Sequence, residues 1–274
     1  MKIATFNVNS IRARIEHVLS FVKENDIDVL LLQETKVEDQ AFPLDPLEDA
    51  GYNVACFGQK SYNGVAILSR FPLEEVRRGF VSQHTAHHPS LPNTTSNPIF
   101  QDARYIEAFT GGLFVASVYV PNGEEVGHAK YNAKLLFLDA LTLHIKQRMR
   151  IYDHLVLGGD FNVAPTPYDV YDPKLWNDTR ILCSTKERQA YRKLLFSGLY
   201  DPLAKVTTNA GHNAFTWWDY RSKGFDSNNG LRIDHLLLSP NAAENLQDAG
   251  VARDVRAVER PSDHAPVWAT FASL

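Results

Sequence analysis

Apolar runs and amphipathic segments alternate from the beginning of the chain. Ile3 to Asn7 has the pattern of a strand, and apolar residues at helical spacing from Ile11 to Val22 predict a helix that Ser10 is placed to cap. Asp28 to Gln33 is a largely apolar run, as expected of a strand covered on both faces. This region therefore predicts a strand, a helix and a second, buried strand.

Two pairs of predicted strands follow. Tyr52 to Phe57 and Gly64 to Ser69 flank a polar turn, and a hairpin signal, Thr110-Gly111-Gly112, joins Tyr105–Phe109 to Leu113–Val120. The other predicted elements are helices at residues 130–148 and Glu187–Phe196, and strands at Asp153–Gly158, Arg232–Leu238, Val251–Val258 and Val267–Phe271. Because no linker divides the strands, we expect one α/β domain, residues 1–274, in which two sheets pack face to face with helices outside.

One segment departs from this pattern. Ser82 to Asp102 is rich in Ser, Thr, Asn, Pro and His and has no apolar period, which is typical of an exposed loop. Its histidines, His84, His87 and His88, could bind a metal, although solvated histidines are the commoner case in such loops.

The composition is that of an ordinary globular protein. Of 274 residues, 44% are hydrophobic and 22% charged, and no apolar run is long enough to span a membrane. No signal-peptide layout is present, and Cys56 and Cys183 lie far apart, so we expect a cytoplasmic protein without a disulfide framework. The net charge of −4 counts weakly against a nucleic-acid partner, but a polyanion responds to the local face of a protein.

Polar residues stand at the ends of four apolar runs. They are Asn7, Glu34, Asp160 with Asn162, and Asp263 with His264. Four distant segments could thus bring carboxylates, amides and one imidazole to a single rim of a sheet. Oxygen ligands with one histidine and no cysteine suit Mg²⁺ or Mn²⁺ better than zinc. This chemistry predicts metal-assisted hydrolysis of a phosphodiester.

Each of these groups matches a need of that reaction. Glu34 is the natural anchor ligand. Asp160 could orient or deprotonate water while Asn162, two residues on and pointing the same way on an extended chain, donates to a phosphate oxygen. His264 could hold the phosphate or act as an acid if Asp234 fixes its tautomer. Taken singly, a surface glutamate or a polar turn is an ordinary alternative; the shared placement favours a site.

Two further features could contact a nucleic acid. Tyr119 ends a strand before Pro121, and its phenol could bind phosphate, although a tyrosine at the edge of the core is about as frequent. Phe215 to Asp234 mixes rings that could stack on sugars or bases with cations that could meet phosphates. The rings are Trp217, Trp218, Tyr220 and Phe225, with at least one tryptophan expected in the core, and the cations are Arg221, Lys223 and Arg232. Further candidates for a basic face are Lys36, Lys130, Lys134, Arg12 and Arg14.

Several longer motifs carry a resemblance to a known family. They are FNVNSIRAR, LLQETKV, YNGVAILSR, VYVPNG, LGGDFNVAP, WWDYRSKGFDSNNGLRID and PSDHAPVWATF. In order and wording they resemble the exonuclease III family of abasic-site endonucleases, within the endonuclease/exonuclease/phosphatase superfamily, and its bacterial branch most of all. SDH is shared with lipid and inositol phosphatases and with pancreatic-type deoxyribonuclease, whereas the long segment beginning with Trp217 favours DNA repair.

The resemblance implies an α/β fold, a four-layer αββα sandwich of two packed mixed β-sheets flanked by helices. It implies a magnesium-dependent enzyme, with Mn²⁺ as a substitute, that cleaves duplex DNA 5′ to abasic sites and trims 3′ ends as a 3′-to-5′ exonuclease or 3′-phosphatase. We expect it to act as a monomer without an obligate protein partner. The loop Ser82 to Asp102 is longer than expected in this branch, which leaves the balance of endonuclease and exonuclease activity open.

The resemblance also implies residue roles. Candidate metal ligands are Glu34, Asn7, Asp160, Asn162, Asp263 and His264, and candidate catalytic residues are Asp160, Tyr119, Asn162, Asp234 and His264. Candidate DNA contacts are Arg104, Asn122, Lys130, Trp217, Arg221, Lys223 and Ile233. Among them, Trp217 and Ile233 would line a pocket for a flipped-out sugar.

Two other functions fit the residues less well. A non-catalytic nucleic-acid-binding regulator on the same fold would lack the metal and phosphate residues, which are present here. A phosphatase acting on lipid or inositol head groups would not need the aromatic and basic segment.

Overall fold

The computed structural model describes residues 1–80, 98–204 and 214–272. Its strands are β1 (Lys2–Asn7), β2 (Val29–Gln33), β3 (Asn53–Phe57), β4 (Val65–Ser69), β5 (Glu74–Arg78), β6 (Tyr105–Thr110), β7 (Leu113–Tyr119), β8 (Leu155–Asp160), β9 (Trp217–Trp218), β10 (Gly230–Leu231), β11 (Asp234–Leu238), β12 (Leu246–Val251) and β13 (Val267–Phe271). Its α-helices are α1 (Ile11–Glu24), α2 (Leu44–Asp49), α3 (Ala129–Arg148), α4 (Thr185–Leu195) and α5 (Pro240–Glu244). Within these ranges no helix has the length and apolar character needed to cross a membrane.

The strands form two large mixed sheets. One has the order β12-β13-β1-β2-β4-β3 and the other the order β11-β8-β7-β6-β5, while β9 and β10 form a separate ribbon. β1 runs parallel to β2, and β7 runs parallel to β8. The other neighbouring pairs of these two sheets are antiparallel.

Alternation along the strands produces four layers. Ile3 and Leu31 of the first sheet share a buried cluster with Val115 and Val156 of the second, so this cluster lies between the sheets. On the outer face of the first sheet, α1 buries Ile11, Val18, Phe21 and Val22. On the outer face of the second sheet, α3 and α4 bury Phe137, Leu141, Tyr191 and Leu194. The αββα prediction is thereby confirmed.

Two local predictions are wrong, and one edge strand was missed. Ser10 does not cap α1, because it has a φ of 92° and its side chain makes no capping bond; backbone N–H groups of Ser10 and Ile11 donate instead to the chain after β2. The expected strand Val251–Val258 is wrong, since β12 ends at Val251 and residues 253–257 form a 3₁₀ helix. The exposed edge strand β5 was not predicted, because its sequence EEVRR lacks an apolar alternation.

The segment Ser82–Asp102 lies mostly outside the described residues, and so do its three histidines. Only its last five residues are described, with a short 3₁₀ turn at Pro98–Phe100.

Two adjacent glycines in β8 allow close approach of neighbouring chains just before Asp160. A Cβ on Gly159 would lie 1.9 Å from the carbonyl oxygen of Val118 on β7. A Cβ on Gly158 would lie 2.7 Å from side-chain atoms of Leu31 and Leu236, which can rotate away. The backbone obstacle at Gly159 is therefore the harder one to relieve.

We expect Gly159→Ala to destabilise the protein by about 1–3 kcal/mol or more, because the added methyl group must displace a strand backbone. Gly158→Ala is the matched control and should cost less, since the added methyl group meets side-chain atoms rather than a strand backbone. Urea unfolding of both variants measures the difference. Equal losses in the two variants would contradict this explanation.

Candidate active site

The parallel strand pairs end at the same edge of the sandwich. Asn7 is the register partner of Gln33, the residue before Glu34. In the other sheet, Asp160 is the register partner of both Tyr119 and Asp234. The ends of β1, β2, β7 and β8 and the beginning of β11 therefore bring their polar residues to one rim, as expected from their position after the apolar runs.

Asn7 joins the two carboxylates of this rim. Its Nδ2 donates to Glu34 Oε1 at 2.8 Å and to Asp160 Oδ2 at 3.0 Å. Because Glu34 follows β2 and Asp160 ends β8, this one amide connects the two sheets. The other carboxylate oxygen of Glu34 lies 2.7 Å from Lys36 Nζ.

The imidazole of His264 completes the group. Its Nδ1 lies 2.8 Å from Asp234 Oδ2, and its Nε2 lies 3.9 Å from Asp160 Oδ2. A hydrogen bond at Nδ1 fixes the ring orientation, as predicted for Asp234. Ser262 holds the preceding loop, since its hydroxyl donates to the carbonyl of Asn7 and accepts from the backbone N–H of His264.

Ligand atoms of Glu34, Asp160 and His264 all lie within 4.8 Å of one another. Among the residues that the structure describes, no other group of three or more His, Cys, Asp or Glu residues has the spacing of a metal site. Two carboxylates and one imidazole suit a hard divalent cation. The donor set at the rim therefore fits the kind of ion that the sequence predicts.

Burial and mutual charge perturb these groups. Burial and the negative charge of Asp234 raise the pKa of Asp160 to about 8. The charge of His264 opposes this rise but does not cancel it. Burial alone would lower the pKa of His264, but the charge and hydrogen bond of Asp234 outweigh it and raise that pKa to about 10. As long as no cation is bound at the rim, the imidazole therefore carries the positive charge that partly balances the carboxylates of Asp160 and Asp234.

Asn162 reaches the rim in a different way from the one expected. It has a φ of 51°, so the chain after β8 turns rather than remaining extended. Its side-chain Nδ2 nevertheless lies 3.3 Å from Asp160 Oδ2 and 3.0 Å from the Val120 carbonyl, and its Oδ1 accepts from Asn122 at 3.2 Å. The turn places two amides beside the carboxylate.

Asp263 lies outside the three-residue group. Its Oδ1 accepts from Asn9 Nδ2 at 2.9 Å and its Oδ2 accepts from Trp217 Nε1 at 3.0 Å. Burial would raise the pKa of Asp263, but the charge of His264 and these two hydrogen bonds lower it. The sequence did not single out Asn9, whose signal is only its place two residues after Asn7 in FNVN.

A cleft of about 480 Å³ opens beside the rim and is lined by Tyr119, Arg104, Asn122 and Lys130 among others. The Arg104 guanidinium lies 4.8 Å from the centroid of the Tyr119 ring. Burial, followed by the charges of Glu34 and Asp160, raises the pKa of Tyr119 well above its usual value, so its phenol keeps its proton. Lys130 is exposed and pairs with Glu124.

The aromatic and basic segment divides between surface and core. Trp217 is half-buried and packs against the buried Ile233, whereas Trp218 is fully buried. Arg221 and Lys223 are exposed on a short turn after them. The expectation that at least one tryptophan belongs to the core is confirmed.

Two cations assigned to a basic face are buried instead. Lys134 is 0% exposed, and its ammonium donates to Glu187 and to the carbonyls of Asn122 and Asn162. Arg232 is 1% exposed and pairs with two carboxylates. In these ion pairs the partner carboxylates lie 31 to 63 residues away in the chain, so the sequence around each cation could not reveal the pairing.

Comparison with known proteins agrees with this geometry. The model of the Endonuclease/Exonuclease/phosphatase family matches residues 4–264. The chain is 38% identical over 278 residues to exodeoxyribonuclease III of Haemophilus influenzae, covering 99% of this chain and 100% of that protein. A structure of a 3′ phosphatase from Neisseria bound to a product DNA hairpin is 41% identical, with a TM-score of 0.89 and 99% of each chain covered. An AP endonuclease from Archaeoglobus fulgidus is 37% identical, with a TM-score of 0.88 and the same coverage.

The matched range runs from the first strand to the imidazole of the rim. The family predicted from the sequence motifs is thereby confirmed, and so is its class, a hydrolase. This chain belongs to the Endonuclease/Exonuclease/phosphatase family.

Proposed function

We propose that this protein is a magnesium-dependent DNA-repair phosphodiesterase that cleaves duplex DNA 5′ to abasic sites and trims 3′ ends. The observation that carries the proposal is the convergence of Glu34, Asp160 and the Asp234–His264 pair at one rim of the sandwich. The names of the similar proteins, an exodeoxyribonuclease, a 3′ phosphatase and an AP endonuclease, support the three activities.

The residues of the rim have separate roles in this proposal. Asp160 orients the attacking water and accepts its proton, since its carboxylate lies at the centre of the group. His264 holds a phosphate oxygen, and Asp234 positions the ring. The amide of Asn162 and the phenol of Tyr119 donate to the phosphate, where negative charge grows in the transition state.

Glu34 is the principal metal ligand in this proposal, with Asn7, Asp160, Asn162, Asp263 and His264 as the other candidates. These residues would hold Mg²⁺, or Mn²⁺ in its place, and the ion would supply charge compensation for the phosphate and for the leaving oxygen.

DNA lies along the rim in this proposal. The cleft with Arg104, Asn122 and Lys130 contacts the backbone on one side, and the exposed Arg221 and Lys223 contact it on the other. Trp217 presents its accessible face to a flipped-out sugar, and the buried Ile233 supports it from behind. Residues 1–274 act as one domain and as a monomer.

Metal removal tests the proposed function. A labelled duplex with one abasic site should be nicked 5′ to the lesion in Mg²⁺, and addition of EDTA should stop the reaction because the carboxylates then hold no cation. An intact duplex of the same sequence is the control, and a duplex with a 3′-phosphate tests end trimming. Equal cleavage in EDTA, or equal endonucleolytic nicking of the intact duplex, would contradict the proposal.

A further inference from the structure

A second cleft, of about 390 Å³, lies next to the candidate active site. Its lining includes Tyr220, Lys223, Phe225, Asp226, Arg256 and Pro261, and we call it the Arg256 cleft. The sequence motifs and the roles proposed above leave Arg256 without a function.

Arg256 is a cation without a counter-ion in the part of the chain that the structure describes. Its side chain lies between two rings, with the guanidinium carbon 5.1 Å from the centroid of Tyr220 and 5.0 Å from that of Phe225. The residue lines the cleft but is only 8% exposed, and its buried Nε has no hydrogen-bond partner. Among the described residues, none accepts a hydrogen bond from its guanidinium or forms an ion pair with it.

Such an arrangement is costly unless a ligand completes it. Ring faces attract a cation, but they offer no acceptor for its N–H groups. A buried charge without a hydrogen-bonded partner loses hydration that nothing replaces. Burial accordingly lowers the pKa of Arg256, and the nearby Tyr220, Asp263 and Asp226 do not offset it. The guanidinium is therefore held against two rings with a buried Nε that makes no hydrogen bond.

The surroundings of the cleft favour an anion. Lys223 lines it from a left-handed position, with a φ of 48°, and its ammonium forms no ion pair among the described residues. A further cation, Arg253, lies 5.1 Å from the centroid of Phe225, one of the rings that line the cleft. Among the described residues that line the cleft, Asp226 is the one acid. The local charge is positive although the whole chain carries −4.

The Arg256 cleft and the candidate active site share a rim. The Pro261 carbonyl accepts from the Tyr220 hydroxyl at 2.6 Å, and the next residues of the chain are Ser262, Asp263 and His264. Trp217, which donates to Asp263, belongs to the same segment as Tyr220. A ligand that extends from the candidate active site along this rim reaches Arg256.

We propose that the Arg256 cleft binds a backbone phosphate of the DNA duplex, separate from the phosphate that is cut. The planar guanidinium can donate two parallel hydrogen bonds to phosphate oxygens, and the two rings fix its orientation in advance. Lys223 adds a second charge. The inference rests on the proposed function, because the phosphate belongs to the DNA that the candidate active site takes.

Binding of a labelled abasic duplex, measured in EDTA at several salt concentrations, tests the inference. Arg256→Gln should weaken binding about tenfold, the effect of losing a charge-assisted hydrogen bond. It should also reduce the slope of log K against log salt by about 0.9, the value for one phosphate contact. Arg256→Lys should keep the slope, since it keeps the charge. Arg253→Gln is the matched control and should weaken binding less, because it removes an equal charge that also lies over Phe225 but does not line the cleft.

The length of the duplex separates this inference from the proposed function. Duplexes shortened one nucleotide at a time from each end should reach a length at which wild type and Arg256→Gln bind equally. Competition by inorganic phosphate at equal concentration should have no effect. Thermal unfolding checks that each variant is folded.

Three outcomes decide the matter. A folded Arg256→Gln variant with unchanged affinity and salt slope would overturn the inference and leave the proposed function standing. A loss of thermal stability with an unchanged slope would show that Arg256 only supports its rings, and would overturn it as well. A wild-type protein that neither binds nor cuts the abasic duplex would overturn both proposals.

Discussion

Asp160→Asn is expected to lower turnover on an abasic duplex by about 10²–10⁴, the usual loss for a general acid–base group. The substitution keeps the size of the side chain but removes the carboxylate that we propose accepts a proton from water. It also removes one of the two carboxylates that Asn7 joins. The measurement is kcat at saturating Mg²⁺ and duplex, with far-ultraviolet circular dichroism to check the fold.

Asp248→Asn is the matched control, because Asp248 is exposed on β12. Its kcat should equal that of the wild type. A near-normal kcat for a folded Asp160→Asn variant would remove Asp160 from the chemistry and would also contradict its place among the metal ligands.

Arg232→Met is expected to destabilise the fold by about 3–5 kcal/mol, because breaking a buried ion pair leaves the partner charge uncompensated. Arg232 Nε lies 2.6 Å from Asp169 Oδ1, and its Nη1 lies 2.7 Å from Asp201 Oδ2. All three side chains are buried, so neither carboxylate can recover hydration when the guanidinium is removed. Urea unfolding at pH 7 measures the loss. Arg150→Met is the control, because Arg150 is exposed and should change stability by no more than about 0.5 kcal/mol.

The loss in Arg232→Met should depend on pH. Burial would raise the pKa of Asp201, but the charge of Arg232 outweighs burial and holds that pKa below its usual value. A lowered folded-state pKa contributes stability that is fully present above the unfolded value, about 4, and falls as the pH drops below it. The difference in unfolding free energy between wild type and variant should therefore shrink as the pH falls from about 5 to about 3. A constant difference would show that the guanidinium acts through packing rather than charge.

The buried strands and the candidate active site could be predicted from the sequence for one physical reason. Apolar runs define buried strands, and the residue after such a run lies at the end of a strand. Asn7, Glu34 and Asp160 could therefore be placed at a rim before any contact was known. Asp234 was predicted to orient His264 because an imidazole needs a partner, and the structure places the two side chains 2.8 Å apart.

The features that escaped prediction depend on contacts distant in the chain. Lys134 appeared to be a surface lysine because its partner, Glu187, lies 53 residues away. Arg256 drew no attention because its environment is made by rings and a cleft rather than by a motif. Ser10 has the residue type of a helix cap, but its own φ of 92° prevents the capping geometry. Charge and residue type can be read locally, whereas burial cannot.

The Asn7 amide, which joins Glu34 of one sheet to Asp160 of the other, makes nuclease competence depend on tertiary packing. In a chain whose strands had formed but whose two sheets were loosely associated, the carboxylates of Glu34 and Asp160 would not lie together. Nuclease activity would then arise only in the fully folded state. Partly folded molecules would therefore lack the assembled candidate active site, because its residues are divided between two sheets.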